Sequence, residues 1–144
     1  MRIRAALAAL LLAVSATACD EPPPPPEPVA FEALAQGAQS DVRDPRREVI
    51  RDGPGLERLS IRADVPKVNF EKEQVIAVFL GERPTAGYKV AVEKVVRLAD
   101  GTLEVLVRER KPAKDAIVAQ VVTTPFILVK TARTDGKVVF KDAE

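Results

Sequence analysis

The chain has 144 residues, with 22 Lys and Arg against 21 Asp and Glu, a net charge of +1. This length fits one domain, and the charge balance gives no electrostatic reason to bind nucleic acid. The sequence contains no His and a single Cys, which excludes histidine-based catalytic triads, internal disulfides and cysteine-rich zinc sites. We therefore predict a non-enzymatic, protein-binding chain with no catalytic residue, no metal and no cofactor.

The first residues have the order of an export signal. Arg2 and Arg4 precede a weakly polar to apolar run, Ala5–Ala16, and small residues follow it at Ala16, Thr17 and Ala18. The run of twelve residues is shorter than the roughly 20 apolar residues that a membrane-spanning helix needs. This pattern predicts a signal peptide over residues 1–18.

The only Cys follows these small residues directly. The segment Val14–Cys19 resembles a bacterial lipobox, although Ala16 stands where Leu is usual. The resemblance implies that Cys19 is lipidated on its sulfur, cut at its amino side and then acylated (palmitate). The lipid would hold the protein to a membrane of the bacterial cell envelope, on its periplasmic or outer face. Ordinary signal peptidase could instead cleave after Ala18, and the choice between inner and outer membrane stays open.

A proline-rich segment comes next. Residues 20–28 hold six of the twelve prolines in the chain, a composition that favours polyproline II over helix or sheet. At about 3.1 Å per residue, such a tether would hold a domain roughly 25–30 Å from the membrane. We assign residues 19–28 to the lipidated Cys and this linker, and residues 29–144 to one β-rich domain.

The first half of this domain has weak strand signals and one strong one. Phe31–Leu34 and Glu48–Arg51 could form strands, and Leu56–Ile61 could form one or two helical turns. Val75–Leu80 is a continuous apolar run, as expected of a strand buried on both faces.

The second half alternates strands with turn signals. Tyr88–Leu98 predicts a half-buried strand with a bulge near Val95 and Val96, and the turn at Asp100 and Gly101 leads into a strand from Leu103. Further strands are predicted at Ile117–Val122, Phe126–Val129 and Lys137–Lys141. Six to eight short strands indicate a small antiparallel β-sandwich or barrel with one short helix. The predicted core consists of Val75, Ile76, Val78, Phe79, Leu80, Val90, Val92, Val105, Val107, Ile127 and Val129.

The loop between the two best-defined strands is the candidate functional site. Proline fixes one turn angle at Pro84, and Gly87 can adopt a positive φ. Tyr88 is the only Tyr in the chain, and Tyr and Arg are residue types enriched in interface hot spots. We predict that Arg83, Pro84, Thr85, Gly87 and Tyr88 bind a protein partner; the alternative is a plain hairpin turn whose Tyr begins a core strand.

The segment around this loop resembles a known family. Residues 69–88, NFEKEQVIAVFLGERPTAGY, are similar to the C-terminal domain of the PrcB family of protease-complex subunits, with Asn69 in place of Asp and Ala86 in place of Gly. The resemblance continues through the Val-Arg-Glu and Lys-Pro elements at 107–112 and the Thr-Pro element at 124–125, and covers residues 65–133. It implies a subunit that associates with, or helps assemble, a protease complex without cleaving substrates itself.

The loop also resembles one in a second family. Pro84–Tyr88 is similar to the loop with which chagasin-type inhibitors plug papain-like proteases, although Arg83 replaces their Asn. A protease inhibitor acting through residues 83–88 is therefore an alternative function, and a structural envelope module is another.

Overall fold

The structure, a computed structural model, describes residues 21–59 and 61–144. The predicted signal peptide and Cys19 lie outside the described residues. Within them, the chain forms eight strands and one short helix. In chain order these are β1 (Glu27–Pro28), β2 (Phe31–Gly37), β3 (Arg46–Ile50), α1 (Gly53–Glu57), β4 (Glu73–Phe79), β5 (Lys89–Arg97), β6 (Leu103–Arg110), β7 (Phe126–Ala132) and β8 (Val138–Asp142).

The strands form two four-stranded sheets, in the orders β1-β5-β6-β8 and β2-β7-β4-β3. The predicted mainly β class is confirmed, and the fold is a sandwich, not a closed barrel. The antiparallel prediction is wrong for one pair, because β8 runs parallel to β6. The chain crosses to the other sheet as β7 between these two strands, so it returns to β6 in the same direction.

The main core lies between the sheets. Ile76 and Val78 of β4 and Val105 and Val107 of β6 contribute to it, and each is at most 1% exposed. Every residue of the predicted core is buried. Nine of these eleven residues lie between the sheets, whereas Val75 and Phe79 are buried on the opposite face of β4.

A second apolar cluster covers the opposite face of β4 and β7. Val75, Ala77 and Phe79 pack there with Leu59, beneath side chains from α1 and residues 61–70. Asp52 caps the helix by accepting a hydrogen bond from the Gly55 amide at 2.6 Å. Because both faces of β4 are covered, its sequence is a continuous apolar run rather than an alternating one.

Two local predictions are corrected by the structure. The register of β5 against β6 shifts between Val92 and Lys94, so the bulge lies before Val95 and Val96. The predicted strand Ile117–Val122 is wrong: this segment is irregular and lies across the end of the sandwich, with only Thr123 in a β-bridge, to Arg83.

The end of the proline-rich segment joins the sandwich. Glu27 and Pro28 form β1 and pair with Arg97 and Val96 of β5, an edge position that a proline can occupy. None of the helices in residues 21–59 and 61–144 has the length and apolar character needed to cross a membrane.

Candidate functional site

The loop of residues 81–88 is held by a second segment, residues 112–123, which we call the strap. The amide of Arg83 donates to the carbonyl oxygen of Thr123 at 2.7 Å, and the Thr123 amide donates back at 2.9 Å. Further along, the amide of Ala86 donates to the carbonyl oxygen of Ala119 at 3.0 Å. The loop and the strap therefore form one surface at the end of the sandwich.

Both glycines of the loop have a positive φ, and Gly87 allows this close approach, whereas Gly81 lies against Arg43 and Pro45. Gly81 has φ +76° and Gly87 has φ +91°, a region that side chains disfavour. A Cβ at Gly87 would also lie 2.9 Å from the Cβ of Pro112 and 3.2 Å from Cγ1 of Val118. The predicted positive φ at Gly87 is present, and it lets the loop lie against the strap.

Arg83 is paired inside the domain. Its guanidinium donates to both carboxylate oxygens of Glu109, at 2.8 and 3.0 Å, and to the carbonyl oxygens of Leu80 and Glu82 at 2.8 and 3.0 Å. These hydrogen bonds raise the pKa of Arg83 and lower the pKa of Glu109, and burial opposes both shifts. The pair joins the loop to β6, and thus one sheet to the other.

Tyr88 lies half-buried beside a shallow groove. Its other lining residues are Gln36, Gly37, Ala38, Gly87 and Lys89, and its volume is about 290 Å³. The side-chain amide of Gln36 donates to the carbonyl oxygen of Val90 at 2.7 Å, which links β2 to β5 at the base of the groove. The groove thus opens between the two sheets, next to the loop.

The remaining predicted residues lie in the same loop. Pro84 and Gly87 are exposed. Thr85 is half-buried, its hydroxyl donates to the carbonyl oxygen of Ala86 at 3.0 Å, and its own carbonyl oxygen accepts from the Thr123 hydroxyl at 2.9 Å. The five residues lie in one loop, but the guanidinium of Arg83 bonds to Glu109 and not to a free surface. Their role in partner binding stays a prediction.

Sequence reasoning missed the strap as part of the site. Ile117 is fully exposed, and Val121 and Val122 are more than half exposed. Their apolar character indicated a buried strand, and that interpretation hid their exposure. Proline on both sides of the segment, at 112 and 125, was the signal that could have set it apart from the sheets.

Positive charge gathers near one end of the strap. Lys89 and Arg110 are directly opposite across β5 and β6, a like-charge pair that is unfavourable in isolation. Lys111 and Lys114 follow in the chain, and all four side chains are exposed. Asp115 follows Lys114 in the chain, and Glu109 and Glu93 lie near Lys111 and Arg110, respectively. Because Glu109 is paired with Arg83 and Glu93 with Arg108, this corner of the site keeps a net positive charge.

The described part of the chain contains no cluster of His, Cys, Asp or Glu side chains suited to a metal ion. The chain has no significant match among curated proteins or among solved structures. Residues 74–132 match the family model described as PrcB C-terminal. The match runs from β4 to β7 and includes both the loop and the strap, and the family suggests a role associated with a protease complex. The resemblance found in the sequence is thereby confirmed over residues 74–132, which are similar to the PrcB C-terminal family.

Proposed function

We propose that this protein is a non-enzymatic accessory subunit of a protease complex, held to the bacterial cell envelope by a lipid on Cys19. The observation that carries the proposal is the similarity to the PrcB C-terminal family, whose matched segment spans the complete loop and strap. The domain binds a protein of the complex, and the proline-rich segment sets its distance from the membrane.

The surface formed by loop and strap supports this function. Tyr88 offers an apolar ring and a hydroxyl beside a groove, a combination suited to an interface anchor. Ile117, Val121 and Val122 add exposed apolar area beside it. Arg83 and Glu109 act in this proposal by fixing the loop before the partner arrives, so that less ordering entropy is lost on contact.

The inhibitor alternative requires the loop to enter a protease cleft. Hydrogen bonds from Arg83 and Ala86 hold the loop against the strap, so the strap would have to enter with it. A structural envelope module would use neither segment as a contact. Assaying papain-like proteases with the purified chain tests inhibition directly: nanomolar inhibition would favour the chagasin-like function over an accessory role.

Capture of the protease tests the proposed function. The full chain, extracted in detergent, is used as bait, and the eluate is examined for a protease by mass spectrometry and by peptidase activity. Tyr88→Ala should reduce the captured protease, while Phe140→Ala, which changes a half-buried aromatic on β8, should not. Equal capture by both variants, with unchanged melting temperatures, would remove Tyr88 from the site; no protease in the wild-type eluate would contradict the function.

The anchor has its own experiment. Intact mass of the membrane fraction should show a mature chain that begins at Cys19 and carries added acyl mass. Cys19→Ala should release the chain from the membrane or block its processing. A soluble, unmodified wild-type product would mean that ordinary signal peptidase cleaves after Ala18.

A further inference from the structure

One side of the strap has backbone groups that make no hydrogen bond to the loop. The paired backbone groups of Thr123 and the carbonyl oxygen of Ala119 point towards the loop, where they bond to Arg83 and Ala86. The backbone amides of Val118, Gln120 and Val122 make no hydrogen bond to the loop, and we call these three residues the outer edge of the strap.

This outer edge has unused hydrogen-bond donors. Within residues 21–59 and 61–144, no acceptor is found for the amides of Val118, Gln120 and Val122. Two of its carbonyl oxygens accept only side-chain amides: Gln39 donates to Val122 and Gln120 donates to Val118, both at 3.3 Å. A flexible glutamine side chain can leave such a carbonyl at little cost, so the whole edge is available to another chain.

Exposed apolar side chains lie at and beside this outer edge, whereas most exposed edges of sheets carry residues that prevent pairing. Edge strands usually carry charges, prolines or bulges that prevent pairing with another chain. Here Ile117, Val121 and Val122 are exposed, and no charged residue occurs between Asp115 and Thr123. The charges lie at the beginning of the strap instead, in the basic corner of Lys89, Arg110, Lys111 and Lys114.

We propose that the outer edge of the strap binds an extended, apolar segment of the partner protein as an added β-strand, with acidic residues flanking that segment at the basic corner. This deepens the proposed function and rests on it. Backbone hydrogen bonds to Val118, Gln120 and Val122 supply affinity, as in other strand-addition complexes. Ile117, Val121 and Val122 contact apolar side chains of the added strand, and the basic corner selects its flanking charge by complementarity.

Short synthetic peptides test this binding mode on the full chain in detergent. The probe alternates valine and threonine and carries a glutamate at each end; a matched control carries lysine at each end. With the glutamate peptide, amide hydrogen exchange by NMR should slow about tenfold or more at Val118, Gln120 and Val122, as expected when free amides gain a partner. The lysine peptide should bind more weakly, and a peptide N-methylated at every central residue should not bind.

A pair of variants isolates the backbone contribution. Gln120→Pro removes one amide of the outer edge and should weaken peptide binding about tenfold, the effect of losing one well-placed hydrogen bond. Gln120→Thr also removes the glutamine side chain but keeps the amide, so it should bind like the wild type. Equal melting temperatures would show that both variants are folded, and the N-methylated peptide tests the same point on the unaltered chain.

The alternatives give distinct results. Unchanged exchange along the strap, or equal binding by Gln120→Pro, would overturn the proposal. Protection of the strap that grows with protein concentration and needs no peptide would identify a second copy of this chain as the occupant, and would also overturn it. If the peptide binds as expected but no protease is captured, the strand-addition site stands and the proposed function fails.

Discussion

Strand β4 and residues 116–122 of the strap are both largely apolar segments of seven residues, yet they have opposite environments. Val75–Phe79 are at most 1% exposed, whereas Ile117 has its whole side chain in solvent. In β4, the other sheet covers one face, and α1 with residues 61–70 covers the other. The strap has the loop on one side only. The comparison shows that the same residue types stabilise the fold in one place and are available for binding in the other.

The largest loss of stability is expected from a substitution in β4. Phe79 is 1% exposed and stacks on Phe126 with ring centroids 6.1 Å apart. Phe79→Ala should lower the free energy of unfolding by about 3–5 kcal/mol, because it removes buried apolar area and leaves a cavity. Urea denaturation at pH 7 measures this loss. A change below about 0.5 kcal/mol, the range of a surface substitution, would mean that the second cluster is not a packed core.

The contact between loop and strap gives the next effect. Gly87→Val should destabilise the domain by about 1–3 kcal/mol, since a branched residue is strained at positive φ, and its Cβ would also clash with Pro112. Gly87→Ala and Gly101→Ala separate the two causes. Both glycines have positive φ, but a Cβ at Gly101 meets nothing within 4 Å.

Denaturation curves of the two alanine variants separate the strain at positive φ from the clash with the strap. Gly87→Ala should lose more stability than Gly101→Ala, and the difference measures the clash with the strap. If the two variants lose the same amount of stability, the strap moves to accommodate the new Cβ and does not hold the loop in place.

A smaller effect belongs to the pair that fixes the loop. Glu109→Gln removes a carboxylate that accepts two hydrogen bonds from Arg83, with 29% of the Glu109 side chain exposed. After discounting for solvent screening, the loss at pH 7 should be about 1–2 kcal/mol. Glu93→Gln, which breaks the pair with Arg108, is the control and should cost less, because the Arg108 side chain is more exposed than that of Arg83 (36% against 24%).

The pH dependence of this loss follows from the direction of the shift. Arg83 holds the pKa of Glu109 below its usual range, so the carboxylate stabilises the fold above its unfolded pKa of about 4.3. That stabilisation is lost as the pH falls through the lower, folded pKa. Denaturation at pH 7 and at pH 3 should therefore show a difference between wild type and Glu109→Gln that shrinks in acid. A constant difference would assign the effect to packing instead of charge.

The sequence predicted the sandwich well because its strands repeat a pattern that burial enforces. Val90 and Val92 alternate with exposed or half-buried residues, and Val105 and Val107 alternate with half-buried ones on the next strand. The inward faces could therefore be predicted from the sequence. The second cluster was harder to predict from the sequence, since Leu59 and residues 61–70 cover β4 without any periodicity. The parallel pairing of β8 depends on a crossing between sheets that no local pattern encodes.

The site was predictable in position but not in all its parts. Proline and glycine marked the loop through the dihedral angles they require, and Gly87 has the expected positive φ. The pairing of Arg83 with Glu109 joins residues 26 positions apart in sequence, and only the sheet register brings them together. The strap was wrongly predicted as a strand because the sequence of an apolar run does not show whether another layer of the fold covers it.

The smallest effect on stability is expected in the strap, and it gives the clearest contrast with the buried strand β4. Ile117→Ser should leave the free energy of unfolding within about 0.5 kcal/mol of the wild type, because a fully exposed side chain loses no buried area. The same substitution type at Ile76, which is completely buried, should destabilise the domain by several kcal/mol, as expected for truncation and burial of a hydroxyl. Thermal denaturation of both variants measures the contrast, and protease capture by Ile117→Ser should fall although its melting temperature does not. A clear loss of stability in Ile117→Ser would show that the strap is part of the core, and the binding surface would then have to be sought elsewhere.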